Sequence, residues 1–215
     1  MLSLAYFKAP GLPQQLLRVR LEYFRRALVW LGNQPQVDSH HLIVLGVSRG
    51  SEAALLSGAY FPSLVHAVIS MVPSDVAICS YPGCRGPAWT YRGRAVPFTR
   101  ELDTPQPTDD PAAVIPVQRI RGPVFLDCAT ADQIGTSCPY ARAIIHHLDA
   151  DPDRYRHVLY SYANAGHGIG SLTPYEPTAP AMETAAANPE VDRQARAQDW
   201  PRLLDFLAAF SRSHS

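Results

Sequence analysis

Leu16, Leu17, Leu21, Phe24, Leu28 and Leu31 recur at helical spacing, while Arg18, Arg20, Glu22, Arg25 and Arg26 mostly fall between them. An apolar stripe of this period predicts a surface helix, and Gly32-Asn33 ends it. A short strand is expected ahead of it over residues 2 to 7, with Pro10, Gly11 and Pro13 breaking the chain in between. From His41 to Val47 the pattern changes to a run too short for a helix and apolar on both faces, as a buried parallel strand requires. A helix over 51 to 60 and a second buried strand from Val65 to Val72 continue the alternation of strand and helix. A third strand is expected from Pro123 to Cys128, followed by a helix near Pro139 to Leu148, and a fourth from Val158 to Tyr162. Trp200 to Phe210 predicts a last amphipathic helix, with Leu203, Leu204, Phe206, Leu207 and Phe210 turned inward. No internal repeat is visible. The pattern predicts an α/β fold with a mostly parallel sheet, helices on both faces, and a single domain over 1–215.

Between the second and third buried strands, residues 75 to 120 are rich in proline, polar and aromatic residues. Loops of that length in compact domains are usually functional lids or binding segments. The stretch is expected to be a lid-like insertion roofing a site, with Tyr81, Trp89, Tyr91 and Phe98 facing substrate; a solvated connection is the competing reading. Bulk properties narrow the partner. Lys and Arg number 19, as do Asp and Glu, so there is no electrostatic ground for nucleic acid or an acidic membrane surface. A small-molecule partner is expected. No apolar run approaches a membrane span, and residues 1 to 8 lack a basic stretch leading a long apolar core, so no signal peptide is expected. Cys79, Cys84, Cys128 and Cys138 lack the paired spacing of zinc sites and the density of a secreted disulfide scaffold. Reduced thiols in a cytoplasm are expected, although Cys79 and Cys84 are near enough for a loop disulfide.

The candidate chemistry lies in Gly46-Val47-Ser48-Arg49-Gly50, a GxSxG sequence that follows a buried strand and precedes a helix. That is the context of a nucleophile elbow, where a sharp turn lifts a serine hydroxyl above the sheet and flanking glycines let helix and strand approach. A serine hydroxyl is a poor nucleophile at neutral pH; a histidine must take its proton and a carboxylate must hold that histidine's tautomer. In this fold the chain order is serine, acid, histidine. Asp132 follows the third buried strand and His167, within Ala165-Gly166-His167-Gly168, follows the fourth. The expected roles are Ser48 nucleophile, His167 general base, Asp132 its orienter and the Arg49 amide an oxyanion donor, with Trp89 and Tyr91 as substrate contacts. No metal or organic cofactor is implied. Asp132 as a helix cap and His167 as an exposed loop residue are the alternatives.

With these residues in view, the chain resembles the C-terminal catalytic domain shared by acyl-CoA thioesterases and bile acid-CoA:amino acid N-acyltransferases, itself similar to dienelactone hydrolases. The resemblance is carried by Leu4-Ala5-Tyr6-Phe7 with Leu12-Pro13, Leu21-Glu22-Tyr23-Phe24, and the elbow through Ser51-Glu52. It continues in Ala165-Gly166-His167 with Pro174-Tyr175 and Pro177-Thr178, and in Ala195-Arg196-Ala197-Gln198-Asp199-Trp200-Pro201. It implies an α/β-hydrolase fold and an acyl-CoA substrate whose acyl group passes to Ser48 and then to water, since the N-acyltransferases carry cysteine at the nucleophile position. It also implies that the chain begins at the fold's fourth strand, N-terminally truncated, with the loop that gives a second oxyanion amide missing. The segment 2 to 7 would then have to pair with 42 to 47. Two other readings remain open: a non-catalytic remnant serving as an interaction module, and a carboxylesterase or dienelactone hydrolase-like enzyme.

Overall fold

A computed structural model describes residues 1–150, 155–171 and 188–212. In chain order the main elements are β1 (Val19–Arg20), α1 (Leu21–Gly32), β2 (Ile43–Val47), α2 (Arg49–Tyr60), β3 (Ala67–Met71), β4 (Trp89–Tyr91) and β5 (Arg94–Ala95). These are followed by β6 (Val124–Ala129), α3 (Ser137–Leu148), β7 (Val158–Tyr162) and α4 (Pro189–Arg212). The strands β2, β3, β6 and β7 form a parallel sheet in that order. Because side chains alternate along a strand, Val44, Val68, Val124, Leu126 and Leu159 share one face and pack with Leu28, Leu55, Leu56 and Ile144 of α1, α2 and α3. Ile43, Ile69, Met71, Phe125 and Val158 share the other face, where Trp200, Leu203, Phe206 and Leu207 of α4 cover them. Helices thus shield both faces, and the apolar runs that marked the strands are those a doubly covered sheet needs.

The four strands of this sheet lie within one or two residues of their expected bounds; other expectations are corrected. Residues 2 to 7 form no strand, so nothing among the described residues pairs with the outer side of β2. β2 is therefore an edge strand, and Leu45, expected in the interior, is 38% exposed. The helical stripe continues back to Leu16, but α1 starts only at Leu21. Arg18 has φ 54°, outside the helical region, and Val19–Arg20 pairs instead with Trp89 and Thr90. The last helix begins at Pro189, well before Trp200, and Leu204 on it faces solvent. Pro174-Tyr175 and Pro177-Thr178 lie outside the described residues.

The stretch 75–120 is laced to the body of the protein. It supplies β4 and β5, a hairpin whose two turn residues Arg92 and Gly93 both take the positive φ that a tight two-residue turn needs. It also buries Val76, Ala77, Trp89, Val96, Ile115, Val117 and Ile120. All four cysteines are paired, Cys79 with Cys84 and Cys128 with Cys138. The expectation of free thiols fails because spacing in sequence does not reveal that the end of β6 and the start of α3 are neighbours in space. The cysteines accordingly give no support for a reducing, cytoplasmic location. No described helix is long and apolar enough to cross a membrane.

Asp75, just beyond β3, is 1% exposed, and among the described residues neither carboxylate oxygen has a hydrogen-bond partner. Burial pushes its carboxyl up to about 8. The unfolded chain ionises this group near pH 4 and the folded one does not, so its contribution to stability is complete below about pH 4 and lost as pH rises towards 8. We expect Asp75→Asn to remove that dependence. Urea midpoints measured between pH 5 and 8 should show the variant gaining on the parent by up to about 1.4 kcal/mol per pH unit. An equal gap at every pH would contradict this.

Candidate active site

Ser48 follows β2 with φ 54° and ψ −121°, a strained conformation that ends the strand and opens α2 within a single residue. The turn is held from both sides. The Ser48 amide donates to the Met71 carbonyl at 3.0 Å, and the Ser48 carbonyl accepts from the Ser51 and Glu52 amides. Gly46 is what permits the approach, since a Cβ there would lie 1.9 Å from the Gly50 carbonyl oxygen. Arg49 is the first residue of α2, so its amide is among those with no partner inside the helix and lies at the positive end of the helix dipole.

Asp132 and His167 come from the loops after β6 and β7, and the strands are parallel, so both stand at the same carboxyl end of the strands as Ser48. Their loops are tied together: the Ala131 amide donates to the Ala165 carbonyl at 2.9 Å, and the Thr130 amide to Tyr162 at 3.0 Å. His167 Nδ1 lies 2.8 Å and 3.0 Å from the two carboxylate oxygens of Asp132, with side-chain exposures of 5% and 1%. Asp132 Oδ1 also accepts from the Ile134 and Gly135 amides, so the carboxylate that holds the histidine is itself fixed. Engaging Nδ1 leaves Nε2 as the ring nitrogen available for a serine proton. Ser48 shares this end of the sheet, with no side-chain hydrogen bond to His167 among the described residues. Beneath lies one apolar cluster: Val72, Ala129, Tyr162, Ala165, Ile169 and Ala195, with Val47 packed against it. It joins the backbone beside all three residues into one rigid floor.

The arginine after the serine is immobilised. Its guanidinium donates to the carbonyls of Ile78 at 3.0 Å and Cys79 at 2.9 Å and pairs with Glu52 at 3.0 Å. Glu52 is fully buried and accepts from the Ile78 amide and the Trp89 indole. Desolvation pushes its carboxyl upward, opposed by Arg49 and the Trp89 hydrogen bond. Tyr6, half-buried nearby, is pushed up to about 12 by burial and then by the Glu52 charge. Through this network the 75–120 stretch braces the first turn of α2, and hence the Arg49 amide.

The two expected substrate contacts fall elsewhere. Trp89 is 1% exposed, packed against Tyr6 and Phe24, and donates its indole N–H to Glu52 in the first turn of α2. Tyr91 packs on Tyr60 and Phe61 and lines a cavity of about 420 Å³ with Glu22, Arg25 and Pro62, beside the far end of α2. Tyr81 is exposed beside Lys8, and Phe98 lies under Arg100. Glu52 was not anticipated as a site residue, nor were Asp192 and Arg196 of α4, which hold the backbone on either side of His167. A cavity of about 520 Å³ lined by Pro123, Tyr155, Val158, Tyr160 and Arg202 lies at the opposite end of the strands, so size alone does not locate this site. No described group of three or more His, Cys, Asp or Glu residues has the arrangement of a metal site.

Residues 19–85 and 88–211 match the family model described as BAAT / acyl-CoA thioester hydrolase C terminal. The chain is 26% identical over 230 residues to acyl-coenzyme A thioesterase 6 of Mus musculus, covering 97% of this chain and 53% of the relative. It is 28% identical to acyl-coenzyme A amino acid N-acyltransferase 2 of Rattus norvegicus, covering 82% and 44%. The chain thus spans about half the length of the curated relatives it matches. Among solved structures it is similar to the "putative dienelactone hydrolase" of Klebsiella pneumoniae (15% identity, TM-score 0.51, 87% of this chain and 60% of that one). It is also similar to the acylaminoacyl peptidase of Pyrococcus horikoshii (11% identity, TM-score 0.54, 87% and 26%). These likenesses, together with the parallel sheet and its helices, make the fold that of the α/β-hydrolases.

Proposed function

Since the chain belongs to the BAAT / acyl-CoA thioester hydrolase C-terminal family, we propose that it is a serine hydrolase that cleaves acyl-CoA thioesters to free acid and CoA. The observation that supports this most is the Asp132–His167 pair at 2.8 Å, at the same end of the parallel strands as a serine in the elbow conformation. Ser48 Oγ attacks the thioester carbonyl while His167 Nε2 takes its proton. The Arg49 amide stabilises the resulting oxyanion. Collapse expels the CoA sulfur, which leaves readily because thiols ionise near pH 8.5, and which takes the proton from His167 Nε2, returning the ring to its neutral form. Water, deprotonated by His167, then attacks the acyl-enzyme and releases the acid. The small-molecule partner is an acyl-CoA; the names of the relatives support that class of substrate.

One observation favours a second reading. In the complete fold another oxyanion amide comes from the loop after the strand on the outer side of β2, and nothing described pairs with that side. Where that donor is lacking, the rate falls roughly a hundredfold to a thousandfold, and these residues would then act as an interaction module with a weak residual site. Steady-state kinetics on matched acyl-CoA, p-nitrophenyl ester and anilide substrates separate these readings. The proposal expects kcat/KM for thioester to exceed that for ester and anilide. Ester preference would reassign the substrate, and no turnover of any substrate would support the module.

A further inference from the structure

His167 is held at two levels, and only one involves its side chain. Asp132 fixes the ring. The backbone is fixed by two buried charged residues one helical turn apart on α4, Asp192 (1% exposed) and Arg196 (6%). Asp192 Oδ1 accepts from the Gly166 amide at 2.6 Å, and Arg196 Nη1 donates to the Gly168 carbonyl at 3.1 Å. The residues immediately before and after the histidine are therefore both tied to the same helix. The fit is close: a Cβ on Gly168 would lie 2.3 Å from Asp192 Oδ2. Among the described residues, Asp192 Oδ2 and Arg196 Nε have no hydrogen-bond partner of their own.

Burying two charges without completing their hydrogen bonds is costly, and apolar residues at these positions would bind α4 to the apolar floor more cheaply. We infer that Asp192 and Arg196 are positioning residues that set the backbone of His167 and thereby the place of its Nε2 relative to Ser48. This rests on the serine hydrolase reading for its kinetic consequence but not for its structural one. The chemistry depends on where the ring stands, and displacement by about 1 Å can cost a hundredfold in rate.

The test is Asp192→Ala beside Asp192→Asn in the full chain. The alanine variant loses the acceptor for Gly166, whereas asparagine keeps a carbonyl oxygen there. We expect kcat of Asp192→Ala on an acyl-CoA to fall by roughly a hundredfold with KM within about twofold of the parent, and Asp192→Asn to recover most of it. A purely structural role would move melting temperature without this division between kcat and KM and without rescue. Nitrogen-resolved NMR of the His167 ring gives a readout independent of turnover: its Nδ1 proton resonance should shift or broaden in Asp192→Ala and return in Asp192→Asn. If Asp192→Ala does not fold, Arg196→Met, which removes only the donor to Gly168, carries the same two expectations. An active parent whose Asp192→Ala variant keeps kcat and the ring resonance overturns the inference. An inactive parent overturns the hydrolase reading, and the NMR comparison still decides this one.

Discussion

Ser48→Ala is expected to lower acyl-CoA hydrolysis by roughly 10⁴-fold or more, since removing a nucleophile abolishes the covalent route and leaves only the contribution of binding and the oxyanion donor. Stability should hardly change. Alanine retains the Cβ, so the backbone at φ 54° is no more strained than before, and the turn is held by the Ser48 amide and carbonyl rather than by the hydroxyl. Rates measured beside thermal melts check both halves. An intact melting curve with unchanged turnover would remove Ser48 from the mechanism, and a collapsed one would mean that the hydroxyl has a structural part the hydrogen bonds do not reveal.

Gly46→Ala is expected to have the largest effect on folding. Its methyl group would come within 1.9 Å of the Gly50 carbonyl oxygen and 2.6 Å of the Ser51 amide nitrogen, atoms of a helix backbone that cannot turn aside. The elbow would have to open, at a cost above about 4 kcal/mol, the range reserved for a few severe mechanisms. Gly50→Ala is the control, because the nearest atom to a Cβ there is the Tyr6 hydroxyl at 3.7 Å. It should melt close to the parent, and alanine even favours the helix. Comparable melting temperatures for the two variants would show that the tightness of the turn does not constrain the fold.

These two glycines also show what the sequence makes legible. A turn tight enough to need glycine leaves GxSxG behind, and the strand before it and the helix after it have periods that can be read directly. The order of serine, acid and histidine then singled out Asp132 and His167, which the fold brings within 2.8 Å. Trp89 was misread because an aromatic in a proline-rich stretch has no period to say whether it faces solvent or core; its indole finds a partner in Glu52, 37 residues away. The helical stripe through Leu16 was genuine apolar burial, but met by pairing with the 81–90 region rather than by a helix. Leu45 was misplaced because a pattern that suits a central strand says nothing about whether a neighbour is present.

The buried polar residues are the least legible. Asp192 and Arg196, four apart on a helix, read as the solvated face of an amphipathic element, and only the path of the His167 loop turns them inward. Glu52 lies in the first turn of α2, where an acidic residue is ordinary; its burial follows from the 75–120 stretch folding over it. The Cys128–Cys138 disulfide likewise joins residues whose proximity is set by the packing of α3 against β6. Each of these errors concerns which side of an element meets the rest of the protein, a property that local pattern does not carry.

Whether Ser48 is an activated nucleophile is the point on which the account stands, and a fluorophosphonate probe tests it without knowledge of the natural substrate. Labelling followed by peptide mass spectrometry should place the adduct on Ser48, with labelling lost in Ser48→Ala and strongly slowed in His167→Ala. A folded chain that leaves Ser48 unlabelled, or that labels as fast without His167, would contradict it.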